Sequence, residues 1–209
     1  MITGYARLRT TPAGNARALC TASLLALAGA THAFAHVRQG QAQSFLTGLG
    51  HPLSGFDHML AMISVGLWGA QLGPPAMWLL PVTFPLVMSL GGFLALVGVR
   101  VPGAEAAVAL SALLLGLMVA AEAKPNLPVA ASLVAVFAIF HGYAHGAELP
   151  PGQSGLTYSI GFVIATGFLH LAGITIGLAH KWRSGHLAIR LIGASVALAG
   201  AVFLRGVLA

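Results

Sequence analysis

The sequence predicts an all-α integral membrane protein, in which an N-terminal signal peptide precedes a compact bundle of six transmembrane helices. Of the 209 residues, 57% are hydrophobic and only 7% are charged, whereas charged residues make up roughly a quarter of a soluble domain. The mean hydropathy of +0.89 agrees with this assignment. The net charge is +6, but the basic residues are scattered singly and form no patch, so nucleic acid is not expected as a partner.

The first residues have the three parts of a secretory signal peptide. Three arginines and no acid precede a short apolar run at 18–30, and small residues at 33 and 35 offer a cleavage site. The run is well short of the ~20 residues that span a bilayer. We therefore expect a signal peptide at 1–35 and a single transmembrane domain at 36–209. The single cysteine, Cys20, lies in the signal peptide, which excludes disulfides and thiolate-bound metals from the mature protein.

Six longer apolar stretches follow, and each is long enough to cross or nearly cross a bilayer. The connections between them are short, which favours antiparallel neighbours in one bundle. Two prolines in the second stretch predict a kink. The predicted spans are Leu53–Leu72, Met77–Val97, Ala104–Ala121, Pro128–Ala144, Tyr158–His180 and Ile189–Leu208.

The arginine-rich start also predicts the orientation of the chain. It stays inside under the positive-inside rule, so the mature N-terminus faces the periplasm from a bacterial inner membrane. Counting spans from that point places Lys124 and residues 181–183 inside, and Arg38 and Arg100 outside. The balance of charge agrees with the rule by a small margin.

Histidines are the unusual feature of the composition, because nine histidines outnumber four acids and ionisable groups are costly in a bilayer. One cluster, with His51, Asp57 and His58, lies at the start of the first predicted span. On a straight helix, His51 and His58 are separated by ~10 Å, too far for one ion with ligand bonds of ~2 Å. Either the helix unwinds at Gly55, or the two histidines are successive stations for an ion.

The second cluster lies at the end of the fourth predicted span. His141 and His145 are four residues apart and Glu148 follows three residues later, so all three share one helical stripe on which a divalent ion could be held. Gly142 and Gly146 form a small-xxx-small pattern that lets another backbone approach this stripe.

Span counting places both clusters at the outer end of the bundle, where we expect them to form one site. Asp57 could orient an imidazole there. His170, near the middle of the fifth span, is either a further ligand or an interhelical hydrogen-bonding group. The residues expected to converge are His51, Asp57, His58, His141, His145 and Glu148.

The remaining ionisable residues are less specific. Three of them lie near the inner face: Glu122, His180 and His186. They either form an exit for an ion or lie at solvated helix ends. Glu105 begins the third span and is interpreted as an ordinary acid at a helix N-terminus. Imidazole and carboxylate ligands without sulfur suit Ni, Co, Zn or Cu(II), so the ligands alone do not identify the metal.

The two motifs, H-x5-D-H at 51–58 and F-H-G-x-A-H-G-x-E at 140–148, resemble those of the HupE/UreJ family. These small membrane proteins are associated with hydrogenase and urease maturation, and the resemblance extends over nearly all of the predicted mature chain. It implies a secondary permease for Ni²⁺, or for Co²⁺ in some members, in which the histidines and acids of the motifs handle the ion.

The resulting expectation is a transporter and not an enzyme, with no permanently bound cofactor. No nucleotide-binding motif is present, so transport would be passive or coupled to a gradient or to cytoplasmic nickel metallochaperones. The alternative is an intramembrane zinc metallohydrolase, in which His141 and His145 hold the metal and Asp57 or Glu148 acts as the base. Haem bound between paired histidines is a third possibility.

Overall fold

A computed structural model describes residues 40–209, and all regular secondary structure in this range is helical. The predicted signal peptide lies outside the described residues. Seven α-helices and two short 3-10 segments follow in order: α1 (40–50), a 3-10 helix (His51–Leu53), α2 (Phe56–Leu72), α3 (Ala76–Leu96), α4 (Ala104–Ala121), α5 (Leu127–Ala147), α6 (Gly155–Gly177), a 3-10 helix (Leu178–Lys181) and α7 (Arg183–Leu208).

The helices follow the predicted spans, but several of their ends differ: α5 continues to Ala147 and α6 begins at Gly155, each three residues beyond the prediction. Helix α1 is not predicted, because its polar sequence lacks an apolar stretch. The first predicted span, Leu53–Leu72, is an α-helix only after Gly55, whose extended backbone ends the preceding turn. Helix α7 begins at Arg183, six residues before the predicted start at Ile189, because its backbone hydrogen bonds continue beyond the apolar stretch.

Five helical segments, which correspond to α3, α4, α5, α6 with the 3-10 turn after it, and α7, are long and apolar enough to cross a membrane. The chain is therefore a multi-pass membrane protein. Helix α2, with 17 residues, is not among the five, although its length of ~26 Å is near the lower limit for a span. The six-span count thus stays a prediction.

Helix α2 is the central helix of the bundle and packs against α3, α4 and α6. Its residues Ala61, Met62, Val65, Leu67 and Trp68 are completely buried. By contrast, large apolar side chains project outward from α3, α6 and α7, as expected for helix faces that meet lipid.

Glycines allow the helices to pack in pairs with their backbones in direct contact. A Cβ at Gly142 of α5 would overlap the backbone of Met88 in α3, and a Cβ at Gly173 of α6 would overlap that of Ile63 in α2. Gly116 in α4 meets the backbone of α7 in the same way. These close approaches pair α3 with α5, α2 with α6 and α4 with α7.

Candidate metal centre

The first motif lies where the chain is interrupted between two helical segments. His51–Leu53 forms the 3-10 helix, and the Ser54 hydroxyl donates a hydrogen bond of 2.6 Å to the carbonyl of His51. Gly55 then adopts an extended conformation, with φ −102° and ψ 112°, and caps α2. The helix therefore unwinds at Gly55, which was the first of the two predicted alternatives. As a result, His51 and His58 both approach His145.

The second motif occupies the last turns of α5, packed against α3. His141 and His145 are both buried and lie one turn apart. On the same helix, Cβ atoms at Gly142 and Gly146 would meet the backbone of α3 around Gly92. The close approach predicted from the small-xxx-small pattern is confirmed, and it fixes the height of both histidines relative to α3.

The two motifs converge on His145. The centroid of its ring lies 4.3 Å from that of His58 and 4.9 Å from that of His51. The rings of His58 and His141 are 5.1 Å apart, measured between centroids. Four imidazoles therefore form one contiguous cluster, and the prediction that the two motifs meet at one end of the bundle is confirmed.

Each carboxylate of the two motifs accepts a hydrogen bond from an imidazole. Oε2 of Glu148 accepts one of 2.9 Å from Nε2 of His51, and it lies 4.0 Å from Nδ1 of His145. Oδ1 of Asp57 accepts from both Nδ1 and the backbone N–H of His58, each at 2.9 Å. Asp57 thus orients an imidazole in the way that carboxylates orient metal-binding histidines.

Three side chains bring ligand atoms close enough to share one ion. The ligand atoms of His51, His145 and Glu148 all lie within 4.8 Å of one another. The sequence predicted that these three would converge together with His141, which shares a helical stripe with His145 and Glu148. Nδ1 of His141 instead donates a hydrogen bond of 2.9 Å to the carbonyl of Phe137 in its own helix. Nε2 of His141 is buried without a hydrogen-bond partner among residues 40–209, so it can bind an ion beside the three-residue set.

A cavity of about 310 Å³ opens beside the cluster and is lined by Asp57, Glu105 and Glu148, three of the four acids in the chain. Three histidines of the cluster and Val207, near the end of α7, also line it. The sequence interpretation missed Glu105 because a helix N-terminus is itself a sufficient reason for an acid. Span counting could have found it, since the third span starts at the same end of the bundle as both motifs.

Aromatic rings of α6 close another side of the cluster. The ring of Phe162 lies 4.3 Å from that of His145, and the ring of Tyr158 lies 5.7 Å from that of His51, measured between centroids. The hydroxyl of Tyr158 on this face is buried without a hydrogen-bond partner in the described part of the chain. An ion in the cluster would thus meet imidazoles and carboxylates on the cavity side and aromatic rings, with one phenol hydroxyl, on the other.

His170 lies deeper in the bundle and is not brought into the three-residue set. Its Nδ1 atom donates a hydrogen bond of 3.2 Å to the carbonyl of Pro81 in α3. The ring of Phe84 borders both histidines, with its centroid 5.2 Å from that of His141 and 5.3 Å from that of His170. His170 therefore makes the interhelical hydrogen bond that was one of its two predicted roles. Its Nε2 atom is buried without a partner in the described part of the chain.

The less specific residues lie at the opposite end of the bundle. Glu122 caps the C-terminal end of α4, and its Oε1 atom lies 2.7 Å from Nε2 of His186 in α7. Nδ1 of His180 donates a hydrogen bond of 2.8 Å to the carbonyl of Gly177. None of these three ionisable side chains contributes to the cluster.

The fold and the cluster together define a multi-pass helical membrane protein with imidazoles and carboxylates gathered at one end of its bundle. The chain belongs to the HupE/UreJ family, since the family model described as HupE / UreJ protein matches residues 24–203. It is similar to Protein HupE of Rhizobium leguminosarum bv. viciae, with 45% identity over 186 residues, which cover 89% of this chain and 97% of that relative. No solved structure matches the chain. The resemblance seen in the two motifs is confirmed.

Proposed function

We propose that this protein is a secondary permease, not driven by ATP, that takes up Ni²⁺ to supply hydrogenase or urease maturation. The observation that carries the proposal is the convergence of His51, His145 and Glu148, with ligand atoms within 4.8 Å of one another, beside a cavity lined by three carboxylates. Ionisable side chains are gathered in this way inside membrane proteins where they serve a function, because isolated ones are costly there.

The arrangement suits an ion that arrives and leaves. The carboxylates of Asp57 and Glu105 give the cavity a negative field that attracts a divalent cation. The three-residue set then replaces part of the water bound to the ion, and Nε2 of His141 offers a further ligand one helical turn away. A permease needs ligands strong enough to replace water and weak enough to release the ion, and several partial sets meet this need better than one closed cage.

Family membership supports transport over catalysis. HupE/UreJ proteins are accessory, transport-type membrane proteins associated with hydrogenase and urease, and the hydrolase alternative is not favoured. Imidazole and carboxylate ligands suit Ni²⁺ and Co²⁺ as well as Zn²⁺, so the proposal of Ni²⁺, with Co²⁺ as a second cargo, rests on the family. In this proposal the protein lies in the bacterial inner membrane with its mature N-terminus in the periplasm, and delivers the ion to cytoplasmic nickel metallochaperones.

Uptake of radioactive nickel into cells tests the proposal, with cobalt and zinc as competitors. Cells with the wild-type protein should take up more nickel than cells that lack it. Asp57→Ala and Glu148→Ala should each reduce this uptake by at least ~10-fold. Glu122→Ala is the matched control, because it removes an acid at the opposite end of the bundle, and it should retain uptake. Immunoblots of membrane fractions check that all variants are present in equal amounts.

Two results would contradict the proposed function. One is wild-type uptake no greater than that of cells without the protein. The other is undiminished uptake in both Asp57→Ala and Glu148→Ala. If cobalt or zinc competed more strongly than unlabelled nickel, that ion and not Ni²⁺ would be the preferred cargo.

A further inference from the structure

We propose that Pro85 is a positioning residue that holds His170 as a second, deeper metal ligand, acting through the Nε2 atom of His170. The inference rests on the proposed permease function. It extends the route of the ion from the outer cluster into the centre of the bundle.

Pro85 leaves a backbone acceptor free in the middle of α3. In a regular helix the carbonyl of Pro81 would accept a hydrogen bond from the N–H of residue 85, but proline has no N–H. Within a bilayer a neighbouring helix has to satisfy a backbone group freed in this way. Here the partner comes from α6, where Nδ1 of His170 donates to the carbonyl of Pro81 at 3.2 Å.

This hydrogen bond determines which nitrogen of His170 carries the proton. A carbonyl oxygen only accepts, so Nδ1 must be the donor, and in a neutral imidazole Nε2 then carries the lone pair. His170 is only 2% exposed, and its Nε2 has no hydrogen-bond partner in the described part of the chain. Because buried polar atoms are normally paired, a lone pair held in this way is suited to a metal ion.

The same arrangement occurs one step nearer the outer cluster. Nδ1 of His141 donates to the carbonyl of Phe137, and its Nε2 is likewise buried without a partner within residues 40–209. Both imidazoles border Phe84, with centroids 5.2 and 5.3 Å from that of the phenyl ring. The hydroxyl oxygen of Thr166, one turn from His170 on the same face of α6, is also buried and unpaired there. Unpaired polar atoms thus continue inward from the cluster past Phe84.

The tautomer of His170 can be measured directly. In protein labelled with ¹⁵N-histidine and reconstituted in lipid, the ¹⁵N chemical shift distinguishes a protonated ring nitrogen from one with a lone pair. Spectra at alkaline pH keep the imidazoles neutral, and comparison with His170→Asn assigns the signals. We expect Nδ1 of His170 to be protonated, and we expect added Ni²⁺, which is paramagnetic, to broaden the Nε2 signal of His170.

The two prolines of α3 provide a matched pair of variants. Pro85→Ala restores an N–H that can bond to the carbonyl of residue 81, so Nδ1 of His170 should lose its fixed protonation, and nickel uptake should fall by ~10-fold or more. Pro81→Ala also adds an N–H, but it leaves the carbonyl of residue 81 available to His170, so the tautomer should not change. His170→Asn keeps an amide donor near the position of Nδ1 but lacks Nε2. It should keep the melting temperature and lose uptake at least as strongly as Pro85→Ala.

Three results would overturn the inference: a wild-type His170 protonated on Nε2, an unchanged tautomer in Pro85→Ala, or full uptake by His170→Asn. If the wild type took up no nickel, the permease function would fail separately. The deeper ligand would then be judged by the spectra alone, where an Nε2 signal of His170 that is unaffected by Ni²⁺ would exclude it.

Discussion

Replacing Gly142 with alanine tests the contact that holds α5 against α3. A Cβ at this position would lie 2.7 Å from the carbonyl carbon of Met88 and 2.9 Å from the amide nitrogen of Gly92. Ordinary contacts begin at 3.4 Å, and backbone atoms cannot rotate away as a flexible side chain can. The carbonyl oxygen of Met88 would lie closer still, so the two helices would have to separate by more than the 0.7 Å between 2.7 and 3.4 Å.

The expected cost of this change follows from its overpacked geometry. Adding a methyl group to a closely packed interior costs about 1–3 kcal/mol, and the contact with backbone favours the upper part of that range. We expect Gly142→Ala to lower the free energy of unfolding by about 2 kcal/mol, and the melting temperature by at least about 4 °C. Thermal unfolding of the protein in detergent, followed by tryptophan fluorescence, measures the shift.

A glycine in a lipid-facing position provides the control for this experiment. A Cβ at Gly167 of α6 would meet nothing within 4 Å, so Gly167→Ala should keep the melting temperature or raise it slightly, because alanine favours a helix. Gly142→Ala should also weaken nickel binding, since Gly142 lies between the two histidines of its motif. Equal melting temperatures for both variants and the wild type would refute the close approach of α3 and α5.

Three further changes test the ends of the helices and the site. Trp68→Phe removes the indole donor that bonds to the carbonyl of Ala123 at 2.8 Å, and it should cost about 1–3 kcal/mol of stability in thermal unfolding. Asn126→Ala removes the N-terminal cap of α5 and should cost about 1 kcal/mol by the same measurement, while an aspartate at this position keeps the cap and most of the stability. Glu148→Gln should weaken Ni²⁺ binding in equilibrium dialysis by at least about 10-fold, because a neutral amide replaces an anionic ligand. Glu122→Gln should leave nickel binding unchanged, and equal losses in these two variants would contradict the position of the site.

Span counting explains why the meeting of the two motifs could be predicted from the sequence. Residues 51–58 begin a span and residues 140–148 end one, and the number of spans between them places both at one end of the bundle. The approximate positions of the helices were also readable from apolar length, but their exact ends were not, since α7 begins six residues before its predicted start. A short polar helix such as α1 has no comparable signal, because what places it is a close backbone approach to α6, of Gly48 to Tyr158 and of Gly161 to Phe45.

The sequence predicted which residues converge, but not which three of them come close enough to share one ion, because that depends on local backbone geometry. A helical stripe favoured His141 as the partner of His145 and Glu148. The extended conformation at Gly55 instead brings His51 to them, and the nearby carbonyl of Phe137 engages Nδ1 of His141. The sequence indicates that glycine can break a helix, but not whether the surrounding contacts make it do so.

The position of Val207 on the wall of the acidic cavity has a practical consequence. Only two residues would separate that wall from a polyhistidine tag joined after Ala209, and a tethered ligand has a local concentration in the millimolar range. Under the proposed function, such a tag would compete with His51 and His145 for the same nickel ion. Metal affinities should therefore be measured after the tag has been cleaved, or with an affinity tag that contains no imidazole.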